Sequence, residues 1–202
     1  ANILAGGFGT GDSDSGGAGP DVPVDVKETS ADDIGLQLAY AQNVMIVPGY
    51  GLAAAQAQHE VAELATVLTE KGINVNYAIH PVAGRMPGHM NVLLADVNVP
   101  YDQMKQLDDA NPMFESTDVS LVIGANDVTN PLARESGNEI SGMPILDVDK
   151  SKSVVVIKRS MSTGYAGIQN PLFSLDNTQM FFSDAKVGLQ DIVAATKQYL
   201  DD

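Results

Sequence analysis

A glycine-containing turn, set between an apolar run and a long alanine-rich stretch, constrains the fold more than any other feature. Residues Asn43 to Val47 are a candidate for a buried strand, and Gly49-Tyr50-Gly51 follows soon after. Small and apolar residues then recur at helical spacing from Leu52 to Lys71, where Gly72 supplies a stop. A second apolar run, Val75 to Ile79, begins almost at once. This outline of a βαβ unit predicts a parallel sheet with right-handed crossovers.

The rest of the chain continues this alternation of short apolar runs and helical stretches. Further strands are predicted at Val119 to Ile123, Ile145 to Val148, Val154 to Ile157 and Met180 to Phe182. Helices are predicted after a capping box of Ser30 and Asp33 and around Met90 to Ala95, Tyr101 to Leu107 and Ala185 to Leu200. The predicted fold class is α/β, a Rossmann-like doubly wound parallel sheet of about six strands with helices on both faces. Ligands of such sheets bind outside the carboxyl ends of the strands.

Composition separates the 202 residues into a tail and one domain. The first residues are rich in Gly, Asp and Ser, which cannot bury enough apolar surface to order themselves. We therefore predict a flexible linker or tail over residues 1–29 and a single domain over residues 30–202. A glycine-rich phosphate cradle is the alternative for the tail, but no strand precedes its glycines. No apolar run approaches the roughly 20 residues of a membrane-spanning helix, so no insertion of this chain into lipid is expected.

The chain is strongly acidic, with a formal net charge of −15. Because its surface repels phosphate backbones, nucleic-acid binding is not expected. The absence of cysteine excludes disulfides, thiolate zinc sites and thiol nucleophiles, and no metal site is predicted. Any anionic ligand must be held by local basic residues and backbone amides. With 11 Lys and Arg residues in the chain, the position of each is informative.

The turn after the first strand carries Gly49, Gly51 and Ala54, a G-x-G-x-x-A form of the dinucleotide fingerprint in its required setting between strand and helix. In that fingerprint the first glycine permits the tight turn and the second lets the backbone approach a pyrophosphate. The small third residue allows close packing of the helix. The alternative is a tight βα turn that simply needs glycine.

Basic residues at two strand ends favour NADP over NAD. NAD-binding domains usually carry an acidic residue about 20 residues beyond the fingerprint to bond the ribose, but the second strand ends here in Ile79 and His80. Arg85, after the second strand, could instead accept a phosphate. Lys158 and Arg159 close a later strand, beside hydroxyls and glycines that suit a phosphomonoester. The alternatives are a solvated loop residue for Arg85 and an exposed hinge loop for the pair, while His80 and His89 are more often structural than catalytic.

Acidic residues follow two further strands. Asp127 comes after Val119 to Ile123, and Asp184 lies between the last strand and the last helix. Either carboxylate could bond a ribose or a carboxamide. The alternative is that each only caps the turn that follows it.

These loops, in this order, closely resemble the NADP(H)-binding third domain of proton-translocating nicotinamide nucleotide transhydrogenases. The resemblance covers about residues 30 to 200 and rests on Gly49 to Gln58, His80 to His89, Gly124 to Asn130 and Lys158 to Gly167. It implies that this domain holds NADP(H) while a separate partner domain holds NAD(H). Hydride then passes directly between the two nicotinamide rings, so no catalytic side chain is expected.

The resemblance also implies a partner in the membrane. A transmembrane domain that conducts protons would be attached through the amino-terminal side of this chain. The chain would then sit at the cytoplasmic face of a bacterial inner membrane or the matrix face of the mitochondrial inner membrane. The proton-motive force would alter how tightly NADP(H) is held.

In that family the NADP lies in reverse orientation across the sheet, which changes the expected role of each basic residue. The resemblance places the 2′-phosphate on Lys158, Arg159 and Ser160, and Arg85 nearer the pyrophosphate. It places Asp127 near the nicotinamide end and links it to proton coupling.

The resemblance adds Tyr50 as a residue flanking the cofactor, and Gly164 with Tyr165 as part of a lid over it. The predicted cofactor-binding residues are Gly49, Tyr50, Gly51, Ala54, Val82, Ala83, Gly84, Arg85, Met86, Pro87, Gly124, Ala125, Asn126, Asp127, Lys158, Arg159, Ser160, Met161, Ser162, Thr163, Gly164, Tyr165, Asp184 and Ala185.

Two other functions stay open at this point. A self-contained NADP-dependent dehydrogenase would need its own substrate pocket with a correctly placed Tyr, Lys or His to transfer a proton. An NADP(H) sensor would instead change its association with a partner when the cofactor binds, and no hydride would leave it.

Overall fold

The structure is a computed structural model that describes residues 26–81, 88–159 and 170–200. These residues form a sheet of seven strands in which every neighbouring pair is parallel. The strands are β1 (Lys27–Glu28), β2 (Asn43–Pro48), β3 (Asn74–Ile79), β4 (Met104–Gln106), β5 (Val119–Ile123), β6 (Ser153–Lys158) and β7 (Thr178–Phe182). Their order across the sheet is β1-β7-β6-β5-β2-β3-β4. The prediction of a doubly wound, Rossmann-like α/β fold is confirmed.

Helices cover the sheet unequally on its two faces. The helices are α1 (Ala31–Ala39), α2 (Tyr50–Ala54), α3 (Gln58–Glu70), α4 (His89–Asp96), α5 (Leu107–Ala110) and α6 (Ala185–Leu200). One face buries a core against α1, α3, α4 and α6. The other face is covered by α5 and by short 3₁₀ turns, which bury a separate cluster around Phe114 and Phe173.

The order of the strands fixes where a ligand can enter. The chain runs from β2 outward to β3 and β4, returns to β5 on the other side of β2, and continues outward to β6 and β7. The connections after β2 and after β5 therefore diverge in opposite directions. A crevice forms between such diverging connections, at the carboxyl ends of the two strands.

The long helix predicted from Leu52 to Lys71 is wrong in one respect, because it is broken into α2 and α3. Gln56 adopts a left-handed conformation with φ of 54°. Its N–H donates to the carbonyl of Ala53 at 3.0 Å, and the N–H of Ala57 donates to the carbonyl of Leu52 at 3.1 Å. This bond pair is a Schellman motif, which ends α2 although the left-handed position carries no glycine.

Two other predictions are wrong. Ile145 to Val148 is not a strand. Leu146 is buried in the cluster around Phe114 and Phe173, Ile145 is buried in a separate cluster with Ala133 and Ile140, and a 3₁₀ turn begins at Val148. The chain adds no strand between β5 and β6, which pair directly with each other. The helix predicted over Tyr101 to Leu107 is a 3₁₀ turn, Tyr101–Gln103, followed by β4, which pairs with β3.

The described part of the chain begins inside the predicted linker. Residues 1–25 lie outside the described residues, but Lys27–Glu28 pair with β7, so the sheet starts before residue 30. The Ser30 hydroxyl accepts the N–H of Asp33 at 3.2 Å and caps α1 as predicted. Within the described residues we find no helix with the length and apolar character needed to cross a bilayer.

Candidate functional site

The carboxyl ends of four adjacent strands enclose a cleft of about 410 Å³. Its walls come from the turns after β2, β5, β6 and β7, which places it at the crevice that the strand order creates. The lining residues are Tyr50, Gly51, Ala54, Ala55, Gly124, Ile157, Lys158, Arg159, Ser183 and Ala185. A cleft of this volume is within the range of small-molecule and cofactor sites.

The turns after β2 and β5 touch through glycines. The N–H of Gly49 donates to the carbonyl of Ile123, and that of Gly51 to the carbonyl of Gly124, both at 2.9 Å. A Cβ atom added to Gly51 would lie 2.6 Å from the Cα of Gly124, closer than real Cβ contacts. The contact between the two turns is therefore sufficient reason for glycine at these positions. It also brings the turns together as one wall of the cleft.

Ala54, the third fingerprint position, does not pack the helix against the sheet as expected. It is exposed and lines the cleft, because α2 ends there. Ala57 is buried instead, at the start of α3. The break between α2 and α3 thus transfers the close-packing role three residues along the chain.

Arg159 is held at the rim of the cleft by Asp184. Its Nη2 lies 3.0 Å from Oδ1 of Asp184. The other carboxylate oxygen accepts the N–H groups of Lys186 at 3.0 Å and Val187 at 3.2 Å, so Asp184 also caps α6. The hydrogen bond from Val187, followed by the one from Arg159, lowers the pKa of Asp184. Because 77% of the Arg159 side chain is exposed, its guanidinium can still reach an anion in the cleft.

Lys158 points away from Arg159. Its Nζ lies 4.7 Å from the centre of the Phe173 ring, on the face of the sheet opposite α6. Burial lowers the pKa of Lys158, and the negative charge of Asp127 opposes that shift. Successive side chains of a strand point to opposite faces, so the two cations do not form a single clamp.

The turn after β5 is tied to a residue that the sequence analysis missed. Nδ2 of Asn170 donates to the carbonyl oxygen of Asn126 at 3.0 Å and to its Oδ1 at 3.1 Å. The signal available in the sequence was a repeated Asn-Pro-Leu, at residues 130–132 and 170–172. In both copies the Asn side chain accepts the N–H of the Leu and caps a 3₁₀ turn.

His80 directly follows β3 and is buried. Its Nε2 lies 2.6 Å from the carbonyl oxygen of Pro144. Burial lowers its pKa, and this hydrogen bond opposes the shift. These contacts join β3 to the segment that precedes β6, which fits a structural histidine.

The structure brings together seven of the predicted binding residues as lining of the cleft: Tyr50, Gly51, Ala54, Gly124, Lys158, Arg159 and Ala185. Ala55, Ile157 and Ser183 line it without having been predicted. Gly49, Ala125, Asn126, Asp127 and Asp184 lie in the turns that carry this lining. The described residues hold no group of three or more His, Asp or Glu side chains suited to a metal.

The remaining predicted residues lie outside the described part of the chain. They are Val82, Ala83, Gly84, Arg85, Met86, Pro87, Ser160, Met161, Ser162, Thr163, Gly164 and Tyr165. Their expected roles stay predictions.

Comparison with known sequences identifies close relatives. Residues 1–195 match the family model described as NAD(P) transhydrogenase beta subunit. The NAD(P) transhydrogenase subunit beta of Rhodospirillum rubrum is 54% identical over 197 residues, which are 96% of this chain and 42% of that protein. The chain therefore spans about two fifths of the length of the curated relatives it matches.

Comparison with solved structures finds the same fold in a distant protein. The crystal structure of a complex of a Sir2 homologue with NAD superposes with a TM-score of 0.55. The superposition covers 87% of this chain and 97% of that chain at 9% sequence identity. At this level of identity the likeness shows a shared fold alone.

Proposed function

The chain belongs to the NAD(P) transhydrogenase beta subunit family, and we propose that it is the part of that subunit which binds NADP(H). It would hold the cofactor for direct hydride exchange with NAD(H) on a partner domain. The observation that carries this proposal is Arg159, an exposed guanidinium fixed by Asp184 at the rim of a cleft that lies at the switch point of the sheet.

The charge of the chain makes this arginine significant. With a net charge of −15, the protein as a whole repels an anionic dinucleotide. A fixed guanidinium counters that repulsion locally, and its planar set of donors matches a phosphate. We assign the 2′-phosphate of NADP(H) to Arg159, together with Ser160, which the family resemblance indicates. Lys158, which the resemblance also indicates, points toward Phe173 on the other face of the sheet.

The rest of the cleft suits the rest of the cofactor. Gly51 and Gly124 line the cleft and let the turns after β2 and β5 pack backbone on backbone as one wall. In the dinucleotide fingerprint the cofactor lies against a glycine-containing turn of this kind. We place the nicotinamide end toward the turn that holds Asp127, with Arg85 nearer the pyrophosphate.

The proposed hydride transfer requires no reacting side chain from this chain. When bound, the nicotinamide ring supplies the hydride chemistry, and no acid or base is needed for that transfer. The residues of this chain would bind the cofactor, orient it and exclude water. For that reason no catalytic side chain is assigned.

The relatives' names imply further components. We propose that an NAD(H)-binding domain docks beside the cleft and that a transmembrane, proton-conducting domain joins this chain on its amino-terminal side. The chain would then work at the cytoplasmic or matrix face of a membrane. Proton flow would act by changing the affinity for NADP(H).

A self-contained dehydrogenase finds less support. Tyr101 and Lys105 have the Tyr-x-x-x-Lys spacing of some NADP-dependent dehydrogenases, but they lie in a 3₁₀ turn and in β4 at the far end of the sheet. Neither residue lines the cleft.

Calorimetric titration of the 202-residue chain with NADP⁺, NADPH, NAD⁺ and NADH tests the proposal. Loss of one charge-assisted phosphate contact costs about 1.5–3 kcal/mol, so the phosphorylated pair should bind roughly 10- to 150-fold more tightly. Equal affinity for the two pairs would contradict the assignment of a 2′-phosphate site.

Isotope transfer separates the proposed function from its alternatives. Mixed with an NAD(H)-binding transhydrogenase domain, the chain should pass deuteride between the two cofactors. Without that domain it should not reduce small carbonyl compounds with NADPH. Turnover of such a compound by the chain alone would support the dehydrogenase instead.

A further inference from the structure

Asn170 joins two loops that belong to neighbouring strands. It follows residues 160–169, which come after β6, and the residue is only 7% exposed. One end of its amide, Nδ2, donates to the carbonyl oxygen and to Oδ1 of Asn126, in the turn after β5. The other end, Oδ1, accepts the N–H of Leu172 at 3.0 Å. A single buried amide therefore links the turn after β5 to the segment after β6.

The carbonyl that Asn170 holds belongs to the peptide group between Asn126 and Asp127. The same oxygen accepts the N–H of Thr129 at 3.0 Å and its hydroxyl at 2.9 Å. Because a peptide group is planar, fixing this oxygen also fixes the direction in which the chain enters Asp127. Asn170 thus adds a donor from a different loop to the two donors of Thr129 that hold this oxygen.

We propose that Asn170 is a positioning residue for the bound dinucleotide, acting through Asn126 and Asp127. The inference rests on the proposed function, in which the turn after β5 receives the nicotinamide end and Arg159 receives the 2′-phosphate. Asn170 should then affect the part of the ligand near β5 and leave the phosphate end unaffected. Arg159 depends on Asp184, which belongs to the turn after β7.

The repeated Asn-Pro-Leu explains why this position is an asparagine. Proline at the first position of a 3₁₀ turn has no N–H, so the first donor to be capped is that of the following Leu. The Asn side chain caps it with its oxygen and keeps its amino group for a second partner. The turns at residues 131–134 and 171–174 also lie against each other.

Asn170→Asp separates these two roles. The aspartate keeps an oxygen for the N–H of Leu172 but cannot donate to Asn126. We expect the affinity of the full chain for NADP⁺ to fall on the order of tenfold, the effect of one lost buried hydrogen bond. The affinity for adenosine 2′,5′-bisphosphate, which carries only the phosphate end of the ligand, should be unchanged.

Asn111→Asp is the matched control. Oδ1 of Asn111 accepts the N–H of Asp147 at 2.9 Å and its Nδ2 donates to the carbonyl of Ile145 at 3.0 Å, so its amide bridges backbone groups in the same way. None of these residues lines the cleft. This variant should lower Tm by a similar amount and leave both affinities unchanged.

Three results would overturn the inference. They are an unchanged affinity of Asn170→Asp for NADP⁺, an equal loss for both ligands, and an equal loss for NADP⁺ in the Asn111 control. Should Asn170→Asp not fold, Asn170→Ser removes the bridge without adding charge and keeps a hydroxyl that can cap the turn. If the unaltered chain bound neither adenosine 2′,5′-bisphosphate nor NADP⁺, the proposed function would be wrong, and the inference would fail with it.

Discussion

Gly51 donates its backbone N–H to the carbonyl oxygen of Gly124 at 2.9 Å, and the two turns that flank the switch point meet at this bond. Gly124 has a φ of 68°, and a Cβ atom there would lie 2.3 Å from the backbone nitrogen of Leu52. The cleft therefore has a wall in which backbone is packed directly on backbone. Any side chain at this contact would separate the turns that shape the site.

Gly124→Ala should accordingly be among the most destabilising single substitutions in the chain. The left-handed φ costs about 1–2 kcal/mol for alanine, and the clash with Leu52 adds to it. We expect the free energy of unfolding to fall by about 3 kcal/mol or more. Gly142→Ala is the control, since its φ of 84° is similar but no atom lies within 4 Å of an added Cβ. Urea denaturation measures both, and equal losses would show that strain alone is responsible.

Arg159→Ala should weaken NADP⁺ binding by about 1.5–3 kcal/mol, because it removes a charge-assisted phosphate contact. The affinity for NAD⁺, which lacks that phosphate, should change little. Arg134→Ala is the matched control, since Arg134 pairs with Asp149 at 2.8 Å and Asp147 at 2.6 Å and does not line the cleft. Calorimetry should find normal NADP⁺ affinity in the control. A loss of NADP⁺ and NAD⁺ affinity by the same factor in Arg159→Ala would contradict the phosphate assignment.

We expect the hydrogen bonds of Asp118 to make the free energy of unfolding decrease in acid. Its Oδ2 accepts the N–H groups of Gln42 and Asn43, each at 2.9 Å, and the bond from Asn43 is the largest cause of its lowered pKa. The unfolded value is about 3.9, so the stabilisation is fully present above about pH 5 and is lost as the pH falls through the lower folded value. Asp118→Asn should thus cost about 1 kcal/mol at pH 7 and progressively less below pH 4.

The measurement is urea denaturation of both proteins between pH 3 and pH 7. Glu139→Gln, at an exposed loop position, is the control and should show no such convergence with the unaltered chain. A constant difference between Asp118→Asn and the unaltered chain over the whole range would exclude the charged hydrogen bonds as its cause.

The parts of the fold that sequence predicted well are those whose pattern is complete within one segment. The apolar run Val119 to Ile123 became β5 with the same bounds, and the helical periodicity of Ala185 to Leu200 became α6 with the same bounds. The strands β1 and β4 were missed because they have only 2 and 3 residues and exist through pairing with β7 and β3. Short edge strands of this kind form only by pairing with another strand, which sequence patterns within one segment do not reveal.

The site divides in the same way. The rule that ligands of such sheets bind outside the carboxyl ends of the strands predicted a site among the turns that line the cleft. It did not reveal that Asn170 reaches Asn126, or that Lys158 turns toward Phe173. Those contacts form between loops that the packing of the sheet brings together. The only local sequence signal for them is the repeated Asn-Pro-Leu.

Gln56 offers a test in the stabilising direction. Its φ of 54° ends α2, and a residue with a side chain adopts this conformation at a cost that glycine avoids. Because Gln56 is exposed and its side chain is not part of the Schellman bonds, Gln56→Gly should raise the free energy of unfolding by about 0.5–1 kcal/mol. Gln58→Gly, in the first turn of α3, should instead lower it, since glycine is a poor helix former. Were Gln56→Gly destabilising as well, the break between the two helices would have to be maintained by the glutamine side chain and not by the backbone.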